Sequence, residues 1–203
     1  MKDTASRQTR TGNSGKVSAR TRVLQTATAL FYQHGVHSVG IDRIIAESGV
    51  AKMTFYRHFP SKARLVAEYL AQREEGWQKL LGEITSTPSR TPLERVLGVF
   101  EALELAIKSR DFCGCPFIKA LAEFGPDCKE PEVREQITAH FADMEKVLAP
   151  LLKEIRPKDS KKLLHPFMSL ITGTLVVAQA TGQTDVATRN KVVARALLKR
   201  TEL

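Results

Sequence analysis

Residues 41–62 read IDRIIAESGVAKMTFYRHFPSK, and this stretch decides the fold. Isoleucines recur at helical spacing in its first half, and Gly49 follows them where helices commonly end in a left-handed residue. A second short helix fits next, because Phe55 and Phe59 are four apart and share one face. Pro60 cannot continue that helix. Two short helices joined by a glycine-containing turn are typical of a helix-turn-helix, whose second helix enters the DNA major groove.

Residues 49–62 closely resemble the recognition-helix signature of the TetR/AcrR family of bacterial transcriptional repressors, which usually reads GVSKxTLYx(Y/H)Fx(S/N)K. The likeness extends back through residues 22–35, RVLQTATALFYQHG, which resemble the first helix of that family with its closing glycine. The motif covers roughly the first third of the chain. The resemblance implies a dimer that binds DNA and leaves it when a small molecule binds the C-terminal part.

The resemblance also implies which side chains touch DNA. Lys52, Thr54 and Tyr56 align with contacting positions of the family, and Lys62 corresponds to a lysine that reaches phosphate. An arginine can hold guanine through two hydrogen bonds, which makes Arg57 the best candidate for a base reader. The expected set is Arg43, Lys52, Met53, Thr54, Tyr56, Arg57, His58 and Lys62. The alternative is that these are merely solvated polar residues.

Two positions depart from the family pattern. Gly40 stands where the family usually caps the second helix with Thr or Ser, and Ala51 stands where the third helix usually begins with Ser or Thr. An alanine has no hydroxyl to cap the helix or to bind phosphate. We therefore expect one customary phosphate contact to be missing at Ala51.

The net charge is +9, with a sequence pI near 9.6, and it is unevenly placed. Residues 1–22 carry six lysines and arginines against a single acid, so more than half of the excess lies beside the helix-turn-helix. This favours a nucleic-acid partner over a membrane. Residues 1–15 are rich in Gly, Ser and Thr, which predicts a flexible basic arm. The arm either touches phosphates or the minor groove, or is a tail without function.

Helical periodicity predicts an all-α chain with no strand. About nine helices are expected, at residues 18–34, 41–48, 52–59, 62–81, 92–109, 117–124, 131–155, 161–181 and 185–199. We divide the chain into the arm at residues 1–15, a helix-turn-helix DNA-binding domain at 16–62 and a ligand-binding and dimerisation domain at 63–203. The fourth helix starts directly after the recognition helix, so a ligand among the fourth to seventh helices could tilt it.

The C-terminal part is rich in aromatic and sulfur-containing residues. The family resemblance suggests that they line a pocket for a small apolar or aromatic ligand, whereas the alternative is a plain core. The candidates are Trp77, Phe100, Phe112, Phe117, Phe124, Phe141, Met144 and Phe167.

The eighth and ninth predicted helices are too apolar for two lone surface helices. Paired with the same helices of a second copy, they would form a four-helix bundle, and the small residues Gly173, Thr174 and Ala178 would permit close approach. A dimer with one helix-turn-helix per chain predicts a near-palindromic operator.

The three cysteines are Cys113, Cys115 and Cys128, an odd number that argues against a disulfide framework. They lack a fourth ligand at zinc spacing, so we expect no metal site and no cofactor. Cys113 and Cys115 leave open a redox-sensing regulator, with Lys108 and Arg110 near enough to favour a thiolate, although packing is the preferred interpretation.

Three other functional classes fit less well. An all-α enzyme or carrier would need a paired nucleophile and base or a metal cluster, and an architectural DNA-binding protein would not need the large C-terminal part. We also find neither a run of about 20 apolar residues nor a secretory signal. The sequence therefore predicts a cytoplasmic regulator that is not an enzyme.

Overall fold

The computed structural model describes residues 17–199, so the predicted arm at residues 1–15 lies outside the described residues. This part of the chain contains nine α-helices and no strand. In chain order they are α1 Ala19–His34, α2 Ile41–Ser48, α3 Lys52–His58, α4 Lys62–Thr85, α5 Pro92–Ile107, α6 Pro116–Phe124, α7 Pro131–Ile155, α8 Ser160–Thr181 and α9 Val186–Lys199. The all-α prediction is confirmed.

Several helix ends lie at capping residues. Ser18 and Ser61 accept hydrogen bonds from backbone N–H groups three residues on, and so begin α1 and α4. Thr91 forms a capping box with Glu94 at the start of α5. Gly49 ends α2 in the left-handed conformation, with φ +62°.

The main difference from the sequence expectation lies in α4, which continues to Thr85 rather than ending near residue 81. Thr85 is buried, and its hydroxyl donates to the Leu81 carbonyl at 2.8 Å. The extra turn is stable because Ile84 packs against the C-terminal core.

The first of two apolar cores joins the DNA-binding helices to α4 and α6. Phe55 and Phe59 of the α3 region are fully buried in it, beside Leu65 and Tyr69 of α4. The rings of Phe31 and Tyr69 lie 5.7 Å apart, which fixes α1 against α4. The helix-turn-helix is thus packed onto α4 rather than attached by a free linker.

The second core lies between α5, α7, α8, α9 and the end of α4. Within residues 17–199, α8 is long and apolar enough to cross a membrane by length and composition alone, which is weak evidence for a membrane span. The expectation that no stretch reaches this composition is therefore wrong. The reason is that α8 is apolar on two faces: Leu163 and Phe167 are buried in the core, whereas Val176 and Val177 are exposed.

Candidate DNA interface and ligand cavity

The recognition helix α3 presents one polar face to solvent because Phe55 and Phe59 bury the other. Met53 is 82% exposed and Tyr56 is 39% exposed on that outer side. Of the remaining predicted DNA contacts, Arg43, Lys52 and Arg57 are exposed, whereas Thr54, His58 and Lys62 are half-buried. The structure therefore leaves five of the eight predicted residues exposed and three half-buried.

Two of the predicted cations are held by acids of α2. The Arg43 Nε lies 2.7 Å from a Glu47 carboxylate oxygen, and the Lys52 Nζ lies 3.6 Å from Asp42. Such exposed pairs contribute little free energy, so phosphate can replace either carboxylate at small cost. As the sequence indicated, neither Gly40 nor Ala51 supplies a side-chain cap.

Lys62 begins α4 close to the end of α6. Burial lowers the pKa of its ammonium group, and the nearby carboxylate of Glu123 acts in the opposite direction. The predicted phosphate contact thus lies beside a side chain of the C-terminal part.

Glu123 ties α6 to the loop between α1 and α2. Its two carboxylate oxygens accept hydrogen bonds from the backbone N–H groups of Val36 at 2.9 Å and His37 at 2.6 Å. Only glycine suits position 35 well. Its φ is +86°, and the Cβ atom of any other residue would lie 3.0 Å from a Glu123 oxygen, closer than an ordinary contact. Phe124, a predicted ligand residue, packs against the His37 ring at 4.9 Å in this junction instead of facing the cavity.

A cavity of about 580 Å³ lies between the two parts of the chain. Five of the predicted aromatic and sulfur residues line it, namely Trp77, Phe112, Phe117, Phe141 and Met144. Phe100 and Phe167 do not: their ring centroids lie 6.5 Å apart in the C-terminal core. The Trp77 Nε1–H donates to the Met144 sulfur at 3.2 Å, which joins α4 to α7 across the apolar wall.

Part of the wall comes from α1, which the sequence did not indicate. Gln25, Thr28, Tyr32 and Gln33 all line the cavity. The buried Tyr32 hydroxyl donates to the Gly114 carbonyl and accepts from the Cys113 N–H, both at 3.0 Å. Burial raises the pKa of this phenol. The first helix of the DNA-binding part is therefore bonded directly to the turn before α6.

Two basic side chains that line the cavity, Arg73 and His140, were not identified from the sequence. The Arg73 guanidinium carbon lies 4.0 Å from the centroid of the Tyr32 ring, a cation–π contact. The His140 Nδ1 lies 2.6 Å from a Glu74 oxygen, and its ring stacks on Phe117 at 3.9 Å. A signal existed, since Arg73 and Glu74 interrupt the apolar stripe of α4 and His140 interrupts that of α7.

The protonation state of His140 follows from these neighbours. Burial disfavours the imidazolium, but the side chains of Cys115 and Glu74 outweigh it and raise the pKa of His140 to about 9. The imidazolium is thus the main form at neutral pH, and Glu74 lies beside it as counter-ion.

All three cysteines are free thiols. Cys115 is buried and lines the cavity, Cys113 is half-buried beside it in sequence, and Cys128 is buried elsewhere in the first core. Among residues 17–199, no cluster of side chains suited to a metal ion is found.

Four valines of the neighbouring helices α8 and α9 are exposed, and we call them together the valine face: Val176, Val177, Val192 and Val193. Val192 is 68% exposed. Two predicted seam residues lie elsewhere, because Thr174 and Ala178 are buried inside the chain, where Asn190 of α9 donates to the Thr174 hydroxyl at 2.8 Å. Gly173 is open, with no atom within 4 Å of a Cβ built there.

Comparison with known proteins gives consistent matches. The family model described as "Bacterial regulatory proteins, tetR family" matches residues 23–69. A TetR-family transcriptional regulator of known structure from Streptomyces coelicolor is 31% identical, with a TM-score of 0.82 over 89% of this chain and 94% of that one. The HTH-type transcriptional regulator LmrA of Bacillus subtilis is 28% identical over 177 residues, 72% of this chain and 92% of LmrA. The repressor KstR2 of Mycolicibacterium smegmatis is 31% identical over 101 residues, 48% of this chain and 47% of KstR2.

Proposed function

Because this chain belongs to the TetR family of transcriptional regulators and is a DNA-binding regulator, we propose that a small molecule in the cavity releases it from its operator. The observation that carries the proposal is the shared wall: Gln25, Thr28, Tyr32 and Gln33 of α1 line the same cavity as Trp77 of α4. A ligand there touches the DNA-binding part directly. The relatives it resembles are regulators, and we assign it no catalytic activity and a cytoplasmic location.

The DNA surface in this proposal is the outer face of α3 with its neighbours. Arg57 reads a base. The side chains of Lys52, Tyr56 and Lys62 bind the DNA phosphate backbone. The remaining contacts come from Arg43, Met53, Thr54 and His58. The two recognition helices of a dimer must meet half-sites about one helical turn apart or a multiple of it, so the operator is near-palindromic.

The dimer forms through the valine face in this proposal. Four exposed valines on two adjacent helices would be costly to leave in water, whereas a second copy covers them in a four-helix bundle. Gly173 lies on α8 without a close neighbour, so it lets the partner helix approach.

In this proposal, release from operator DNA follows from the position of the cavity between α1 and the C-terminal helices. A ligand that separates α1 from α4 and α7 shifts the recognition helix of each subunit, and a small shift loses contacts on both half-sites. Coupling of about 1–3 kcal/mol changes operator affinity roughly 5–150-fold, and operator DNA weakens the ligand by the same factor.

The test begins with selection of operator sites from random duplexes, because sequence-blind binding would refute a specific regulator. Compounds that bind are then titrated by calorimetry with and without operator, and equal affinity in both cases would rule out release by that compound. A cavity-filled variant, Ala106→Trp, should bind operator without responding to such compounds. Leu105→Trp, at the neighbouring exposed position, should respond normally.

A second candidate is a redox-sensing regulator, favoured by the position of Cys115 in the cavity wall with Cys113 close in sequence. Peroxide should then weaken operator binding by wild type and leave Cys115→Ser unaffected. Equal responses of the two proteins would dismiss this candidate.

A further inference from the structure

Arg73 is the unusual side chain of the cavity wall. It projects from α4 into a wall of mixed apolar and polar side chains, and its guanidinium lies over the Tyr32 ring. Within residues 17–199, no carboxylate lies within ion-pairing distance of Arg73, and none of its nitrogens donates to a protein acceptor. Arg73 is half-buried. A partly buried guanidinium without a counter-ion gains from an acceptor supplied by a ligand.

The other charges of the wall do not supply that acceptor. Glu74 is engaged by His140 at 2.6 Å. Asp111 also lines the cavity but is exposed, so water screens its charge. The inner part of the wall therefore carries a positive charge on Arg73 that no described side chain offsets.

The geometry of Arg73 defines the group it can take. The Tyr32 ring lies on one side of the guanidinium, whose N–H groups remain available to an acceptor from a ligand. A carboxylate matches that edge with two parallel hydrogen bonds. A doubly charged phosphate would leave one charge uncompensated in an apolar cavity, so a carboxylate fits better.

The rest of the cavity defines the body of the ligand. Trp77, Phe112, Phe117 and Phe141 offer flat apolar surfaces within about 580 Å³. We infer that the ligand is an aromatic carboxylic acid, its ring among these side chains and its carboxylate on Arg73. This inference rests on the proposed function and changes the expected ligand from an apolar compound to an amphipathic acid.

Binding at Arg73 also has a defined route to the DNA-binding part. Arg73 lies against Tyr32 of α1, and Tyr32 is bonded to Cys113 and Gly114 before α6. A carboxylate bound at Arg73 therefore acts, through the contact with Tyr32, on α1 and on the turn before α6 together.

The experiment uses matched pairs of neutral and acidic probes on the full chain. Benzoic, naphthalene-2-carboxylic and biphenyl-4-carboxylic acids are each compared with their primary amides by calorimetry at pH 7. Wild type should bind at least one acid roughly tenfold to a hundredfold more tightly than its amide. Arg73→Gln should lose that preference. Arg73→Lys should keep part of it, because lysine retains the positive charge but cannot make the two parallel hydrogen bonds. Lys79→Gln, at an exposed position of the same helix, should behave as wild type.

Three results would overturn the inference: no pair binds wild type, acid and amide bind equally, or the preference survives in Arg73→Gln. A cooperative thermal transition and an unchanged helical circular dichroism spectrum show that the variants are folded. The two proposals fail separately. A neutral compound that fills the cavity and releases operator would leave the proposed function standing, whereas a tightly bound acid that leaves operator affinity unchanged would contradict release alone.

Discussion

His140 couples the stability of the cavity wall to pH. Its pKa rises from 6.5 to about 9 on folding, so the folded state holds the proton more tightly than the unfolded chain. The stabilisation is fully present below pH 6.5 and is lost as the pH rises through about 9. A shift of this size corresponds to roughly 3 kcal/mol.

We therefore expect the advantage of wild type over His140→Gln in unfolding free energy to shrink as the pH rises from 6.5 to about 9. Urea titrations across this range measure it. His165→Gln, at an exposed position of α8, is the control and should show no such trend relative to wild type. A constant difference between wild type and His140→Gln would contradict the assignment.

Arg57 and Lys62, two of the four lysines and arginines of the proposed DNA surface, should behave differently when removed. Arg57→Ala should cost roughly 1–3 kcal/mol on the preferred operator and relax specificity at one position, because a base contact is lost. Lys62→Ala should weaken binding to all sequences alike and flatten the salt dependence by about one unit, as expected for one phosphate. Competition binding on operator and scrambled duplexes at several salt concentrations separates the two. Lys158→Ala, exposed between α7 and α8, removes the same charge and should have little effect.

Glu123 is one of several contacts that join α6 to α1 and to the loop after it. Glu123→Ala leaves the N–H groups of Val36 and His37 without their partner, and loss of such bonds should lower the unfolding free energy by roughly 1–3 kcal/mol. Denaturant unfolding is the measurement. Asp127→Ala removes an exposed acid shortly after α6 and should be nearly neutral. Similar losses in both variants would mean that general charge, not the junction, is responsible.

The elements were largely predictable because their ends carry local signals. Ser18, Ser61, Thr91 and Gly49 act through bonds within a few residues, so the sequence suffices to locate them. The end of α4 was placed too early because its last turn depends on Ile84 meeting a distant core. Packing across the chain overrides local preference there.

The proposed DNA contacts could be named from the sequence because six of the eight residues lie on the short helix α3, within a recognisable motif. The cavity could not be predicted from the sequence. Periodicity identifies an inward face, but it does not tell whether the next helix fills the space, and so Phe100 and Phe167 could not be distinguished from Phe117. The contribution of α1 could not be predicted either, because it depends on how two parts of the chain pack.

For the whole molecule, the valine face predicts how assembly can be broken. Val192→Glu places a charge in the proposed four-helix bundle, and Gly173→Arg places a long side chain where the partner helix approaches. Sedimentation at micromolar concentration should show both variants as monomers. Leu105→Glu changes an exposed leucine of α5 in the same way and should leave the dimer intact. A wild-type monomer that still binds operator tightly would refute this mode of assembly.

The shared wall also limits how this regulator can be rebuilt as a biosensor. A chimera that joins the ligand-binding part of one regulator to the DNA-binding part of another would be cut near residue 62 if the domain boundary were followed. Such a cut would leave Gln25, Thr28, Tyr32 and Gln33 in the discarded piece, although they belong to the cavity. A chimera made at that boundary inherits the operator of one parent and a ligand preference that belongs to neither. A transplant that keeps its chemical specificity has to carry these side chains of α1 with it.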